Sequence, residues 1–185
     1  MISMILEDAE TRMGKTVDSL RQELKHIRTG KANPALLDNV RVSAYGQEMP
    51  LKQVASIAVP DPRQIVIQPW DKSILSDVEK AIQKADLGLN PTNDGSFIRL
   101  PIPPLTEERR RDLVKAVKKI VEDSKIALRN IRRDANDQLK SAEKEGDISE
   151  DESRRGLDKV QDLIDKKTAE LEEILNRKEQ EIMEV

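Results

Sequence analysis

All nine prolines of this 185-residue chain fall between residues 31 and 104, and so do its three aromatic residues, Tyr45, Trp70 and Phe97. Outside that window there is no proline and there are only four glycines, Gly14, Gly30, Gly146 and Gly156. Proline interrupts a helix because it lacks an amide proton and its ring clashes with the preceding turn. The flanks can therefore form long helices and the window cannot. Charge divides the same way: the window carries eight basic and eight acidic residues, the flanks 24 and 27. Two composition regimes imply two domains. The first and last pieces share one regime, so residues 1–30 with 105–185 read as one domain and residues 31–104 as an insertion.

In the first flank Leu6, Met13, Leu20 and Ile27 recur every seven residues, with Val17 and Leu24 filling the alternate seam. That spacing predicts a helix over residues 2–29, with Gly30 as its C-cap and Pro34 blocking continuation. A second helix starts after Thr106, a good N-cap followed by Glu107 and Glu108. It runs to residue 145, a rod of about 60 Å. Its seam reads Leu113, Val117, Ile120, Val121, Leu128, Ile131, Ala135, Leu139 and Ala142, and Gly146 ends it. The third helix opens with Ser149 and Glu152 at capping-box spacing, and its seam is Leu157, Val160, Ile164, Leu171 and Ile174. The short turn between the second and third helices makes them antiparallel neighbours. No such rod buries its stripe alone, and a three-helix bundle satisfies all of them.

The window alternates with a shorter period. "VRVSAY" (40–45), "VASIAV" (54–59), "QIVIQ" (64–68) and "FIRLPI" (97–102) have strand character. Residues 74–88 read as one amphipathic helix ended by Gly88. The expected fold class is thus α+β: a bundle with a small inserted α/β domain, Trp70 in the insert's core. Two strands, residues 29–33 and 102–105, join the pieces. Pro103 and Pro104 stiffen one and Gly30 frees the other, so they read as a hinge of restricted axis.

Several chemistries are excluded. With no cysteine there is no disulfide, thiolate metal site or thiol nucleophile. His26, the one histidine, adjoins Ile27 and reads as a boundary or surface residue. Phosphate-cradle, zinc-protease and nucleophile-elbow motifs do not occur. The "LGLNPTNDG" stretch (87–95) reads as a surface loop, and nothing singles out a catalytic pair among the carboxylates of the third helix. No enzyme, cofactor or metal is expected. "MISMILEDAE" has no basic segment before an apolar run, as a secretory signal requires, and no apolar run reaches membrane-spanning length. A soluble cytoplasmic protein is expected.

The net charge is −3, yet "KIALRNIRRDANDQLK" (125–140) holds five basic and two acidic residues. Counting by element resolves the conflict. Residues 105–146 carry twelve basic and nine acidic residues, and residues 147–185 carry seven and thirteen, so the acid sits mainly on the third helix. Rotation of about 100° per residue places Arg132, Lys125, Lys118, Arg129, Lys140 and Arg133 on one flank of the second helix. Asp123, Asp134 and Asp137 fall on the opposite flank, while Glu122 and Glu143 interrupt the basic stripe. Two readings remain open: a solvated face that pairs with acids of the third helix, or a rail for phosphates, for which arginine's planar fork is suited. Lys25, Arg28 and Lys31 add a basic run at the end of the first helix. The bundle has no aromatic residue for base stacking, so a rail would read the backbone and shape of folded RNA. A helical scaffold is the main rival, and an enzyme using third-helix carboxylates a remote one.

The segments "HIRTGKANPALLD" (26–38), "ADLGLNP" (85–91), "IRLPIPPLTEERR" (98–110), "LRNIRRDAND" (128–137) and "ISEDESRR" (148–155) carry a resemblance. In order and spacing they resemble bacterial ribosome recycling factors over essentially the whole chain. The resemblance implies an L-shaped, tRNA-like pair of domains, with an elongated antiparallel three-helix bundle on large-subunit ribosomal RNA near the peptidyl-transferase region. It implies a monomeric wedge that works with GTP-bound elongation factor G to split the post-termination ribosome, releasing mRNA and tRNA. RNA contacts carry over to Arg28, Arg129, Arg132 and Arg133, with Lys125 beside them. Lys31 stands where the family commonly has arginine, which keeps the charge but not the bidentate grip. The acidic third helix is expected to face away from the RNA.

Overall fold

The computed structural model describes residues 1–184 and divides the chain into two compact units. One comprises Met1–Leu24 and everything from Arg111 on, and the other is Lys25–Arg110. The expected borders at 30 and 105 thus move outward by a few residues on each strand.

The first unit is built from three helices: α1 (Ile2–Lys25), α4 (Glu107–Lys144) and α5 (Glu150–Met183). Both predicted caps form. The Arg109 amide donates to Thr106 Oγ1 at 3.1 Å. At Ser149 both halves of the capping box are present: the Glu152 amide donates to Ser149 Oγ, and the Ser149 amide donates to Glu152 Oε1. Between α4 and α5, Gly146 takes φ +80°, while Asp147 and Gly146 donate to the carbonyls of Ala142 and Glu143. This closes α4 with a left-handed turn that only glycine adopts without strain. Arg12 of α1 meets Asp134 of α4 at 3.1 Å, and a groove lined by Lys15, Ser19 and Glu23 of α1 with Ile120, Asp123 and Ser124 of α4 lies further along. Hence α1 runs antiparallel to α4. At Gly156 of α5 a Cβ would lie 3.0 Å from the Leu139 side chain of α4, so glycine fits this approach of the two helices.

The seams hold with adjustments. On α4 and α5 the buried positions include Val117, Val121, Leu128, Leu139, Val160, Ile164 and Leu171, while Leu113, Ile120, Leu157 and Ile174 are half-buried. On α1 the stripe starts at Ile5 and Ala9, so Leu6 moves to its margin. The first helix also stops at Lys25, short of 29. His26 lies 3.5 Å from Asp38 and Arg28 bonds the Pro103 carbonyl, so tertiary partners in the second unit replace the last helical turn.

The second unit contains β1 (Arg41–Ala44), β2 (Gln47–Pro50), α2 (Leu51–Val54), β3 (Ala55–Asp61), β4 (Gln64–Pro69), α3 (Leu75–Lys84), β5 (Thr92–Asn93) and β6 (Ile98–Pro101). Strands β1 and β2 form a hairpin, and the other four form an antiparallel sheet of order β3-β4-β6-β5. Ile67 faces Ile57 and Ile98 across the ladder, and Ile65 faces Leu100. Ile65, Ile67, Ile98 and Leu100 are fully buried, as strict alternation requires when one sheet face is covered. Val78 and Ile82 of α3 join the same core. The helix expected over 74–88 ends at Lys84.

Trp70 is not in that core. It is 69% exposed, and Tyr45 is 64% exposed. The core is closed by aliphatic residues alone, and the strand pleat that buries Pro69 turns its neighbour outward. Tyr45 and Gly46 both take positive φ (54° and 79°) in the two-residue loop of the β1–β2 hairpin. That twist matches the flanking strands, and the Tyr45 hydroxyl donates to Asp71 at 2.7 Å.

Candidate nucleic-acid interface

Elongated α4 carries the basic stripe because its seam, turned toward α1 and α5, leaves the remaining circumference to charge. The structure splits that stripe into two columns. The inner column faces α5. Lys118 lies 3.7 Å from Glu179, and Lys125 pairs with Glu172. Arg132 Nη1 donates to Gln161 Oε1 at 3.5 Å, and Gln161 Nε2 donates to Asp165 Oδ1 at 2.8 Å. The outer column faces solvent. Arg129 is exposed and reaches back along its own helix to Glu122 at 3.2 Å. Arg133 and Lys140 are exposed and make no ion pair among the described residues. Ile126, a large apolar side chain, lies on this outer face at 44% exposure.

Sequence rotation brought the right cations to one side but could not separate these columns, since that needs the position of α5. Lys125 is thereby engaged by Glu172, as the solvated-face reading expects. Arg133 and Lys140 are thus the exposed cations of the stripe with no ion pair among the described residues, whereas Arg129 is shared with Glu122. Two carboxylates of α5, Glu172 and Glu179, lie beside the stripe, so the acidic helix does not turn its whole acidic surface away from it.

Arg28 and Lys31 belong to the second unit. Lys31 is exposed. Arg28 is half-buried, donates Nη2 to the Pro103 carbonyl at 2.9 Å, and leaves its Nε buried without a partner. Burial, and the charge of Arg109 secondarily, pull its pKa below the ordinary arginine value. The same bond ties the two linker strands together. Gly30 takes φ +82°, and a Cβ there would lie 3.3 Å from Leu105 Cγ, so the left-handed backbone and the close approach both demand glycine. Gly30, Pro103 and Pro104, expected from the sequence to form a hinge, all lie within the second unit, and nothing in the sequence signalled this cross-tie.

Among the described residues no group of carboxylates and histidine could hold a metal ion, and no helix is long and apolar enough to cross a membrane.

The family model for ribosome recycling factor matches residues 20–183. The chain belongs to the ribosome recycling factor family. It is 57% identical to the ribosome-recycling factor of Symbiobacterium thermophilum and 56% identical to that of Halalkalibacterium halodurans, in both cases over the full length of both chains. A solution structure of ribosome recycling factor superposes with TM-score 0.81 at 42% identity, covering all of this chain and 98% of that one. A second structure, of the T. thermophilus ribosome recycling factor and the E. coli elongation factor G bound to the E. coli post-termination complex, matches at TM-score 0.68 and 44% identity over both full chains. The α+β architecture and the role of a ribosome recycling factor follow from this membership.

Proposed function

We propose that this protein binds the ribosome after termination and, with elongation factor G and GTP, promotes its separation into subunits, freeing mRNA and tRNA. Full-length agreement with ribosome recycling factors supports this, as does the relative seen with elongation factor G on the post-termination complex. The bundle would lie on large-subunit ribosomal RNA through the outer face of α4. Arg129, Arg132 and Arg133 would grip phosphates, and Arg28 and Lys31 would contribute from the second unit. The observation that carries this is the exposed Arg133, without an ion pair among the described residues, beside Arg129 on the long helix α4. Recognition by phosphate contacts needs no catalytic group, and the protein would act as a cytoplasmic monomer, mechanically and not as an enzyme. Gly30, Pro103 and Pro104 would form the joint through which force passes between its two pieces.

Polysomes incubated with the protein should break down to subunits only when elongation factor G and GTP are both present. Breakdown at the same rate without them would refute the mechanism. The scaffold reading has one observation in its favour, the pairing of Lys118 and Lys125 with α5. It predicts no co-sedimentation with ribosomes.

A further inference from the structure

The inner column of α4 is a ladder with a regular step. Moving seven residues along α4, from Lys118 to Lys125, moves the partner seven residues back along α5, from Glu179 to Glu172. Seven residues further in the same sense along each helix, the corresponding positions are Arg132 and Asp165. Here the pattern changes. Asp165 does not take the cation; Gln161, one turn earlier on α5, stands between them, accepting from Arg132 Nη1 and donating to Asp165 Oδ1. At two rungs a lysine ammonium meets a carboxylate and its charge is compensated. At the third an arginine meets a neutral amide, which orients one arm of the guanidinium and leaves its full positive charge.

The relay fixes the amide in one orientation. Its nitrogen must face the Asp165 carboxylate, which only accepts, so its oxygen must face Arg132, which only donates. Among the described residues Arg132 makes no other side-chain bond. Its Nη2 and Nε remain for an outside acceptor, and that edge of the fork suits a phosphate.

We propose that Gln161, held by Asp165, is a positioning residue that aims the Arg132 guanidinium at the RNA backbone without neutralising it. The inference rests on the reading of α4 as a phosphate-binding surface.

The test measures binding of the full chain to purified large ribosomal subunits across a salt series, with thermal unfolding as a check on folding. Arg132→Ala should weaken binding about tenfold and reduce the salt slope by about 1, because one phosphate is no longer neutralised. Gln161→Glu should place a carboxylate against Arg132, pushed there by like charge on Asp165, and should reproduce most of that change in slope. Its unfolding temperature should not fall. Gln161→Met keeps the size and the charge but removes the aim, so binding should drop about threefold with the slope unchanged. Asp165→Ala, which removes the acceptor that holds the amide, should behave as Gln161→Met does and decides the matter if Gln161→Glu proves unstable. If Arg132→Ala binds weakly while Gln161→Glu, Gln161→Met and Asp165→Ala bind as the parent does, the positioning role is overturned and the phosphate surface stands. If Arg132→Ala itself binds normally, both fall.

Discussion

The insert gathers its buried residues into one cluster, from Leu37 to Ile102, fed by strands, a hairpin and α3, and aliphatic throughout. The bundle strings its buried residues along three rods, and its buried positions include Ser153 and Lys178. One unit gains stability from a closed core in which few groups face outward with purpose. The other has thin seams and a large charged circumference. The difference shows where each unit can tolerate change without losing stability: the insert at its surface, and the bundle on its outer face but not where its helices touch.

The comparison breaks most visibly if a core residue is removed from each unit. Ile67→Ala and Leu139→Ala should each cost about 2–5 kcal/mol, because both side chains are fully buried and leave a cavity. Far-ultraviolet circular dichroism during denaturant unfolding separates them. Ile67→Ala should lower the midpoint of sheet loss while most helical signal persists, and Leu139→Ala should lower the helical transition. A common shift in both variants would show that the two units unfold as one.

Next in size, the double variant Arg129→Ala/Arg133→Ala should lower the salt slope of ribosome binding by roughly two units, because two outer cations are removed. Its helicity should be unchanged, both positions being exposed. Lys125→Ala sharpens the inner–outer distinction. Its partner Glu172 is half in solvent, so the loss of stability should stay below about 1 kcal/mol. The double variant Lys125→Ala/Glu172→Ala should keep ribosome affinity close to that of the parent, since it removes a pair with no net charge.

The smallest effect belongs to the insert's exposed loop. The Ser73 amide, helped by the Tyr45 hydroxyl, holds the Asp71 carboxyl below the usual aspartate range. A depressed carboxylate stabilises the fold above its unfolded value, near 4, and that contribution fades as pH falls toward the folded pKa. Tyr45→Phe removes one cause of the depression. Thermal unfolding followed from about pH 5 to about pH 2 should then depend on acid slightly less steeply than in the parent.

Much of the architecture was legible because prolines and seven-residue spacing are local signals. Thr106, Ser149 and Gly146 act where their positions in the sequence say they act. What was not legible depends on partners distant in sequence. The end of α1 is set by Asp38 and Pro103. Strand β2 was hidden for a local reason: in the left-handed loop before it, tyrosine replaces the asparagine or glycine that signals such a turn. Trp70 looked like core because large aromatics usually are, but period-two alternation after buried Pro69 sends it outward. On α4, rotation alone found the basic flank. Only the position of α5 separates Lys118 and Lys125, which are answered by carboxylates, from Arg133, which is not.

The matched seven-residue step of α4 and α5 also acts as a ruler. One residue added to α5 ahead of Gln161 would turn every later side chain by about 100° relative to its rung and carry Glu172 and Glu179 away from the lysines. Seven residues added to both helices would restore each pairing about 10 Å further along the rod. The length of this bundle can therefore change only in whole repeats, and a functional relative of different length should differ by sevens in both helices at once.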